Sequence, residues 1–335
     1  MKLLILGVNG FIGSHLVDHI LEKTEWVIYG LDLTTDKIAH QLGHPRLHFR
    51  QGNMLKEKTW IDEQLAHCDA LLPLVAIATP ATYVNDPLSV FELDFEANLA
   101  VIRSACEHKT RVIFPSTSEV YGMSIDTPFD EETSSLTLGP ICKERWIYSC
   151  SKQMMDRVIY AMGKHRDLAF TLFRPFNWYG PRLDDIKRTQ KGGSRVLTQF
   201  MGNVLRGEPI QLVGGGAQQR CFTYIDDCME ALLKIIENKN GCADSQIFNI
   251  GNPDEDLSIR KLAELTIQTL AEFPAFQAMA AKASLVDVSQ ENYYGKGYQD
   301  VDRRVPSIEN ARQRLGWQPT TPIIEGLRKT VESLL

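Results

Sequence analysis

The chain has 335 residues, 44% hydrophobic and 23% charged, the balance of a soluble globular protein with length for one large domain or two smaller ones. A formal net charge of −6 argues against a nucleic-acid surface, yet a few placed arginines can still hold an anionic ligand. The seven cysteines include no Cys-x-x-Cys pair, so reduced thiols in a cytoplasmic protein and no metal site are expected, and no apolar run nears the roughly 18 residues of a membrane span.

Lys2–Leu6 reads as a strand buried on both faces rather than a signal peptide, because it runs into glycines with no small-residue cleavage site. Gly7-Val8-Asn9-Gly10-Phe11-Ile12-Gly13 follows and opens a helical pattern over 14–22. In that context the glycines permit a tight turn, and backbone N–H groups at the helix start can hold a pyrophosphate. A second strand, 26–31, ends at Asp32, whose carboxylate can accept both ribose hydroxyls of an adenosine. It also repels a 2′-phosphate, so NAD is the expected cofactor in preference to NADP. Third and fourth strands, 47–50 and 69–76, bring Asn53 and Ala76 to their ends, and small residues there let a cofactor lie close to the backbone. The expected cofactor site is thus Gly7, Asn9, Gly10, Phe11, Ile12, Gly13, Asp32, Asn53 and Ala76. A helix over 87–108 and a fifth strand, Arg111–Pro115, continue an alternation that specifies an α/β fold, a Rossmann-type doubly wound parallel sheet.

The fifth strand breaks into Ser116-Thr117-Ser118-Glu119-Val120-Tyr121-Gly122, and Tyr148-Ser149-Cys150-Ser151-Lys152 opens a helix that reaches about residue 165. Tyr148 and Lys152 stand one helical turn apart. A tyrosine is a poor base near neutral pH, but a lysine ammonium and a positive nicotinamide beside it favour the phenolate. Tyr148 and Lys152 therefore count toward both catalysis and cofactor binding, and Ser118 or Thr117 can hold the substrate hydroxyl while hydride passes to NAD. A sixth strand, 170–176, ends in Arg-Pro-Phe-Asn-Trp-Tyr-Gly-Pro-Arg (174–182). The alternation then loosens. Helices are expected at 194–206, 226–238, 258–270 and 308–315, strands at Ile210–Val213 and Gln246–Ile250, and a turn at Gly214–Gly216 ahead of Arg220. Residues 1–180 are expected to form mainly the NAD-binding domain. Residues 181–335 should form mainly a smaller mixed α/β lobe that binds substrate over the carboxyl ends of the strands, with chain crossings between the two.

Residues 7–13, Asp32, the Ser118/Tyr148/Lys152 set and Phe-Asn-Trp-Tyr-Gly-Pro resemble the extended short-chain dehydrogenase/reductase family of nucleotide-sugar enzymes, over essentially the whole chain. The resemblance implies tightly held NAD, a UDP- or dTDP-sugar and a homodimer. Thr-Ser-Glu-Val-Tyr-Gly (117–122) is similar to the UDP-glucuronate decarboxylase group, since epimerases of the family carry a small residue where Glu119 stands. The words at 75–80, 114–122, 173–178 and 293–301 resemble the decarboxylase domain of bifunctional polymyxin-resistance proteins. By that resemblance Ala78, Tyr83, Arg145, Asn177 and Tyr298 contact the UDP-sugar, and Arg304 sits by the hexuronate carboxylate and assists decarboxylation. Thr117, Ser118, Glu119 and Arg182 complete the expected substrate set, with Arg220 suited to the UDP phosphates or ribose.

Oxidation of UDP-glucuronate at C4 gives a β-keto acid whose CO2 leaves as the 4-keto oxygen takes the electron pair. Glu119 can repel that carboxylate or reprotonate C5, and the sequence leaves both open. The expected catalytic set is Ser118, Glu119, Tyr148, Lys152 and Arg304, releasing UDP-4-keto-pentose, CO2 and NADH. The alternatives are a UDP-xylose or UDP-apiose/UDP-xylose synthase that re-reduces the intermediate, a UDP-sugar 4-epimerase, and a non-catalytic dinucleotide sensor. Three departures stand out: there is no formyltransferase domain, Gln211 replaces a lysine expected by the uracil, and Cys150 resembles plant UDP-apiose/UDP-xylose synthases. Those enzymes have a second cysteine where Ala78 stands, and Cys150 is read as a small buried helix residue.

Overall fold

The computed structural model describes residues 1–186 and 193–335. The first part runs β1 (Lys2–Leu6), α1 (Phe11–Lys23), β2 (Val27–Asp32), β3 (Leu47–Gln51), α2 (Lys58–Leu65), β4 (Ala70–Pro73), α3 (Pro80–Asn85), α4 (Pro87–Phe91), α5 (Asn98–Glu107), β5 (Arg111–Pro115), α6 (Trp146–Arg166) and β6 (Phe170–Pro175). There follow β7 (Trp178–Tyr179), α7 (Val196–Arg206), β8 (Ile210–Val213), β9 (Gln219–Cys221), β10 (Thr223–Tyr224), α8 (Ile225–Glu237) and β11 (Gln246–Ile250). The chain ends with β12 (Asp256–Ser258), α9 (Ile259–Ala271), α10 (Gln277–Ala280), β13 (Leu285–Val288), α11 (Gln290–Tyr294), β14 (Arg303–Arg304), α12 (Glu309–Leu315) and α13 (Ile323–Glu332).

Seven strands form one parallel sheet in the order β11-β6-β5-β4-β1-β2-β3. Strand alternation feeds two cores. Leu3 and Ile5 pack with Leu16, Val17 and Ile20 of α1 and with α8, while Leu4 and Leu6 pack with α2, α5 and α6 on the other face. Apolar burial on both faces explains why β1 carries no polar alternation. From β1 the chain goes to β2 on one side and later to β4 on the other, so a crevice opens at the carboxyl ends of β1 and β4.

The second part of the chain is not confined to a separate layer, since β11 returns to the edge of the main sheet beside β6. The rest makes small sheets, β8 with β13, β7 with β10, and β12-β9-β14. The long helix expected over 87–108 is interrupted: a π-helical segment, Glu92–Ala97, joins α4 to α5. The fourth strand ends at Pro73, three residues before Ala76, and leaves 74–79 free to border the crevice. The helices α2, α3, α10, α11 and α13 were not expected from the sequence, and α2 buries only Ile61 and Leu65, too little for a clear helical period.

Candidate active site

The glycine turn fits a dinucleotide. Gly7 has φ +84, and a Cβ on Gly13 would collide with the carbonyl oxygens of Gly7 and Val8, so α1 can start hard against β1 only with glycine there. The first N–H groups of α1 have no intrahelical acceptor and are available to an anion. A groove of about 1090 Å³ runs past Gly7, Gly10, Asp32, Asn53, Ala76 and Ile77. Asp32 accepts the Asn9 and Leu33 N–H groups at 2.8 and 2.7 Å, while burial pushes its carboxyl up. The Asn9 side chain donates to Thr34 and Asp36 and accepts the Lys37 and Ile38 N–H groups, so it shapes the loop that borders the groove. Asn53 accepts the Leu55 N–H at 2.9 Å, and Phe11 meets His15 edge-on. Ile12 packs against the core beneath the turn.

Beside the groove, β5 ends at Pro115 and a 3-10 turn, Ser118–Tyr121, follows Thr117. Thr117 accepts the Glu119 N–H at 3.2 Å, its hydroxyl favours ionisation of Tyr148, and Ser118 is buried next to it. Tyr148 stacks on Tyr83 with ring centroids 4.6 Å apart. Lys152 donates to the Pro115 carbonyl at 3.0 Å and lies 5.9 Å from the Tyr148 ring centre. Burial, with the charge of Asp94, holds the Tyr148 phenol above its ordinary range, so the chain alone leaves it protonated. Burial also lowers Lys152, against the pull of Asp94 and Asp156.

On the far side of Ser118, Glu119 lies between two arginines. Arg145 hydrogen-bonds one carboxylate oxygen, and Arg304 donates to the other at 2.6 Å. Burial alone would raise the Glu119 carboxyl, yet Arg145 and Arg304 outweigh it and hold it at about 2. The sequence left open whether Glu119 delivers a proton; the two arginines favour its ionised form. Arg220 pairs with Asp300 at 2.6 Å beside the same cluster, and Arg145 lies over the ring of Tyr298, which stacks on Tyr294. Residues 119, 145, 220, 298 and 304 are therefore brought together across 185 positions of sequence.

Arg182 turns to α1, donating to the Lys37 carbonyl and pairing with Asp18 at 2.7 Å. Asn177 has φ 42 and donates to the Cys221 carbonyl, joining the short strands, and Ala78 is exposed on the 74–79 segment. Cys150 is exposed on α6, not a buried helix residue, because its turn faces away from the sheet. Three residues escaped the sequence reading: Asp94, Asp300 and Arg195, whose charge favours the Tyr148 phenolate from the start of α7. Arg195 stands two residues past Gly193, at the start of the helix expected over 194–206, and that position was the available signal. Among the described residues there is no His/Cys/Asp/Glu group that could hold a metal and no helix long and apolar enough to cross a membrane.

Residues 3–251 match the family model described as the NAD dependent epimerase/dehydratase family. The PbgP3 protein from Burkholderia pseudomallei is 52% identical, with a TM-score of 0.90, covering 99% of this chain and 95% of that one. DesIV from Streptomyces venezuelae, a dTDP-glucose 4,6-dehydratase solved with NAD and TYD, is 24% identical at a TM-score of 0.82, covering 99% and 96%. A variant UDP-glucuronic acid 4-epimerase from Bacillus cereus, in complex with UDP-4-deoxy-4-fluoro-glucuronic acid and NAD, is 22% identical at 0.81, covering 100% and 99%. The last two share the fold.

Proposed function

Because the chain belongs to the NAD-dependent epimerase/dehydratase family, we propose that it oxidises UDP-glucuronate at C4 and releases the C6 carboxylate as CO2, giving a UDP-4-keto-pentose. NAD supplies the hydride acceptor. Tyr148 takes the C4 hydroxyl proton, Thr117 and Ser118 hold that hydroxyl, and Lys152 supplies the positive charge that makes the phenolate accessible. The 7–13 turn and Asp32 bind the pyrophosphate and ribose of the cofactor. The second part of the chain supplies most of the sugar-nucleotide side.

The arginine-held Glu119 carries the decarboxylation half of the reading. Among the described residues, three guanidinium groups, Arg145, Arg220 and Arg304, face two carboxylates, Glu119 and Asp300, which leaves one positive charge unmatched beside the oxidising tyrosine. A substrate carboxylate supplies the missing anion, and Arg304 can bind it bidentately. Glu119 then stands as a fixed anion near a carboxylate, which favours moving that negative charge onto the 4-keto oxygen as neutral CO2 leaves. Reprotonation of C5 falls to another donor, and the proton held by Tyr148 after oxidation balances the reaction without a net proton.

A homodimer is also part of this reading. Cys150, Met154, Arg157 and Ala161 make an exposed stripe along α6, a face that a second copy would cover, and sedimentation of the purified chain tests it. The chemistry is tested by incubating purified protein with UDP-glucuronate and NAD while following NADH absorbance and the sugar by NMR. Stoichiometric NADH and a keto-pentose support the proposal. Turnover to UDP-xylose without accumulating NADH would replace the release step by re-reduction, and no CO2 at all would sink the decarboxylase reading.

A further inference from the structure

Lys152 is buried and has two carboxylates acting on it, Asp94 and Asp156. Asp156 already has partners, Ser116 at 2.7 Å and Arg174 at 3.3 Å. Among the described residues, Lys152 is the one cation acting on Asp94. Its Oδ1 accepts the Ile77 N–H at 2.8 Å, and its Oδ2 is enclosed with no hydrogen-bond partner among the described residues. The residue is wholly buried within the π-helical segment Glu92–Ala97, which packs against α6, whereas Glu92 and Glu96 of the same segment are exposed. The wider turn of a π segment is what brings Asp94 inward, and such segments recur at functional sites. From the elements packed on it, Asp94 acts on Lys152 and Tyr148 of α6 and on Tyr83 of α3, and its loop partner is the Ile77 amide. A carboxylate enclosed this way persists only beside a cation.

We propose that Asp94 is the counter-ion of Lys152, a positioning residue that keeps the lysine charged and sets the pH range over which the Tyr148–Lys152 couple gives up its proton; this rests on the reading of those two residues as the proton-transfer pair. An anion at this place raises both neighbours, opposing ionisation of Tyr148 and holding Lys152 protonated. Burial pushes the Asp94 carboxyl up, and Lys152 and the Ile77 amide restrain it to about 6. Asparagine matches the shape and can still accept the Ile77 amide but lacks the charge, so in Asp94→Asn the couple loses its proton at lower pH.

The first test needs no substrate. Thermal melting at pH 8 of ligand-free wild type, Asp94→Asn, Lys152→Met and the double variant forms a cycle. Lys152→Met alone leaves an enclosed carboxylate without its cation and lowers the melting temperature strongly. On the Asp94→Asn background that drop shrinks to roughly half or less. Additive drops overturn the proposal. Should Lys152→Met fail to fold, recovery of folding in the double variant supports it, and failure of both leaves the decision to the pH profile. There the acid limb of NADH formation by Asp94→Asn moves down by roughly one pH unit, and an unmoved limb overturns the proposal. Tyr148→Phe separates the two readings. If it keeps turnover, the proton-transfer pair is wrong, while the Asp94–Lys152 coupling is still judged by the melting cycle.

Discussion

The rings of Tyr83 and Tyr148 lie face to face, 4.6 Å apart at their centroids and 5° from parallel, enclosed with Val90, Ile77 and Ile147. Tyr83, expected from the sequence as a substrate contact, thus also fixes the plane of Tyr148, the residue proposed to take the proton. Tyr83→Phe keeps the ring and should leave kcat within about threefold. Tyr83→Ala removes it, with a loss of roughly 3–5 kcal/mol in stability. Its kcat should fall by up to about 10²-fold as the Tyr148 ring loses its fixed plane. Unfolding curves and steady-state rates check both, and an unchanged kcat in Tyr83→Ala would remove the positioning role.

Glu119 offers a prediction in pH. Its folded carboxyl sits at about 2, below the ordinary glutamate value, because Arg145 and Arg304 outweigh the burial that would raise it. The stability it contributes is therefore present above the unfolded value of about 4.3 and lost as pH falls through about 2. Glu119→Gln leaves two buried guanidinium groups short of an anion and should cost roughly 3 kcal/mol at pH 7. Denaturant midpoints for wild type and variant should draw together as the pH drops from 5 toward 2. In turnover, C4 oxidation should survive the substitution better than CO2 release. Equal loss of both steps would count against a dedicated role in decarboxylation.

The parts that were legible in the sequence are those whose signal is local. The glycine turn, Asp32 and six of the seven sheet strands sit in short runs with their own periodicity, and β11 completed the sheet from a strand already expected at Gln246–Ile250. Tyr148 and Lys152 were legible through helical spacing. The arginine clamp was not, because Arg145 and Arg304 come from 26 and 185 residues away, and only resemblance tied them to the sugar. Asp94 was hidden for another reason. In Glu92-Leu93-Asp94-Phe95-Glu96 it looks like one more solvated charge at ordinary helical spacing, and only the π segment separates it from its exposed neighbours. Arg182 shows the reverse error of scale: its motif is next to the site in sequence, while its guanidinium is held by Asp18 and His15.

That same contact gives a prediction about acid. His15 is buried, and burial first, then the Arg182 charge, lowers its imidazole to about 4. Its Nε2 lies 2.8 Å from the Pro181 carbonyl and its Nδ1 lies 3.1 Å from the Arg182 guanidinium. The carbonyl requires Nε2–H, so Nδ1 must be the bare acceptor, and a proton there would expel Arg182. With the folded value below the ordinary one, the contribution of neutral His15 is present above about 6.5 and lost as pH falls through about 4. His15→Asn should flatten the stability curve over that interval. A curve as steep as that of wild type would place the acid sensitivity in another group.

Gly13 provides the sharpest test of the cofactor site, because its constraint is steric and independent of any charge. A Cβ there meets the Gly7 and Val8 carbonyl oxygens, and both belong to backbone that cannot swing aside without moving α1 away from β1. Gly13→Ala should therefore displace the helix start, whose N–H groups are the ones proposed to hold the pyrophosphate, and weaken NAD binding by at least roughly tenfold. Gly316 serves as the comparison. It has φ +56 with open space around it, so Gly316→Ala carries only the left-handed backbone penalty of about 1 kcal/mol and should bind NAD as wild type does. Calorimetric titration of NAD into the two variants separates a lost cradle from a general loss of stability. If Gly13→Ala binds NAD normally, the pyrophosphate is not held at the start of α1, and the assignment of residues 7–13 to the cofactor fails with it.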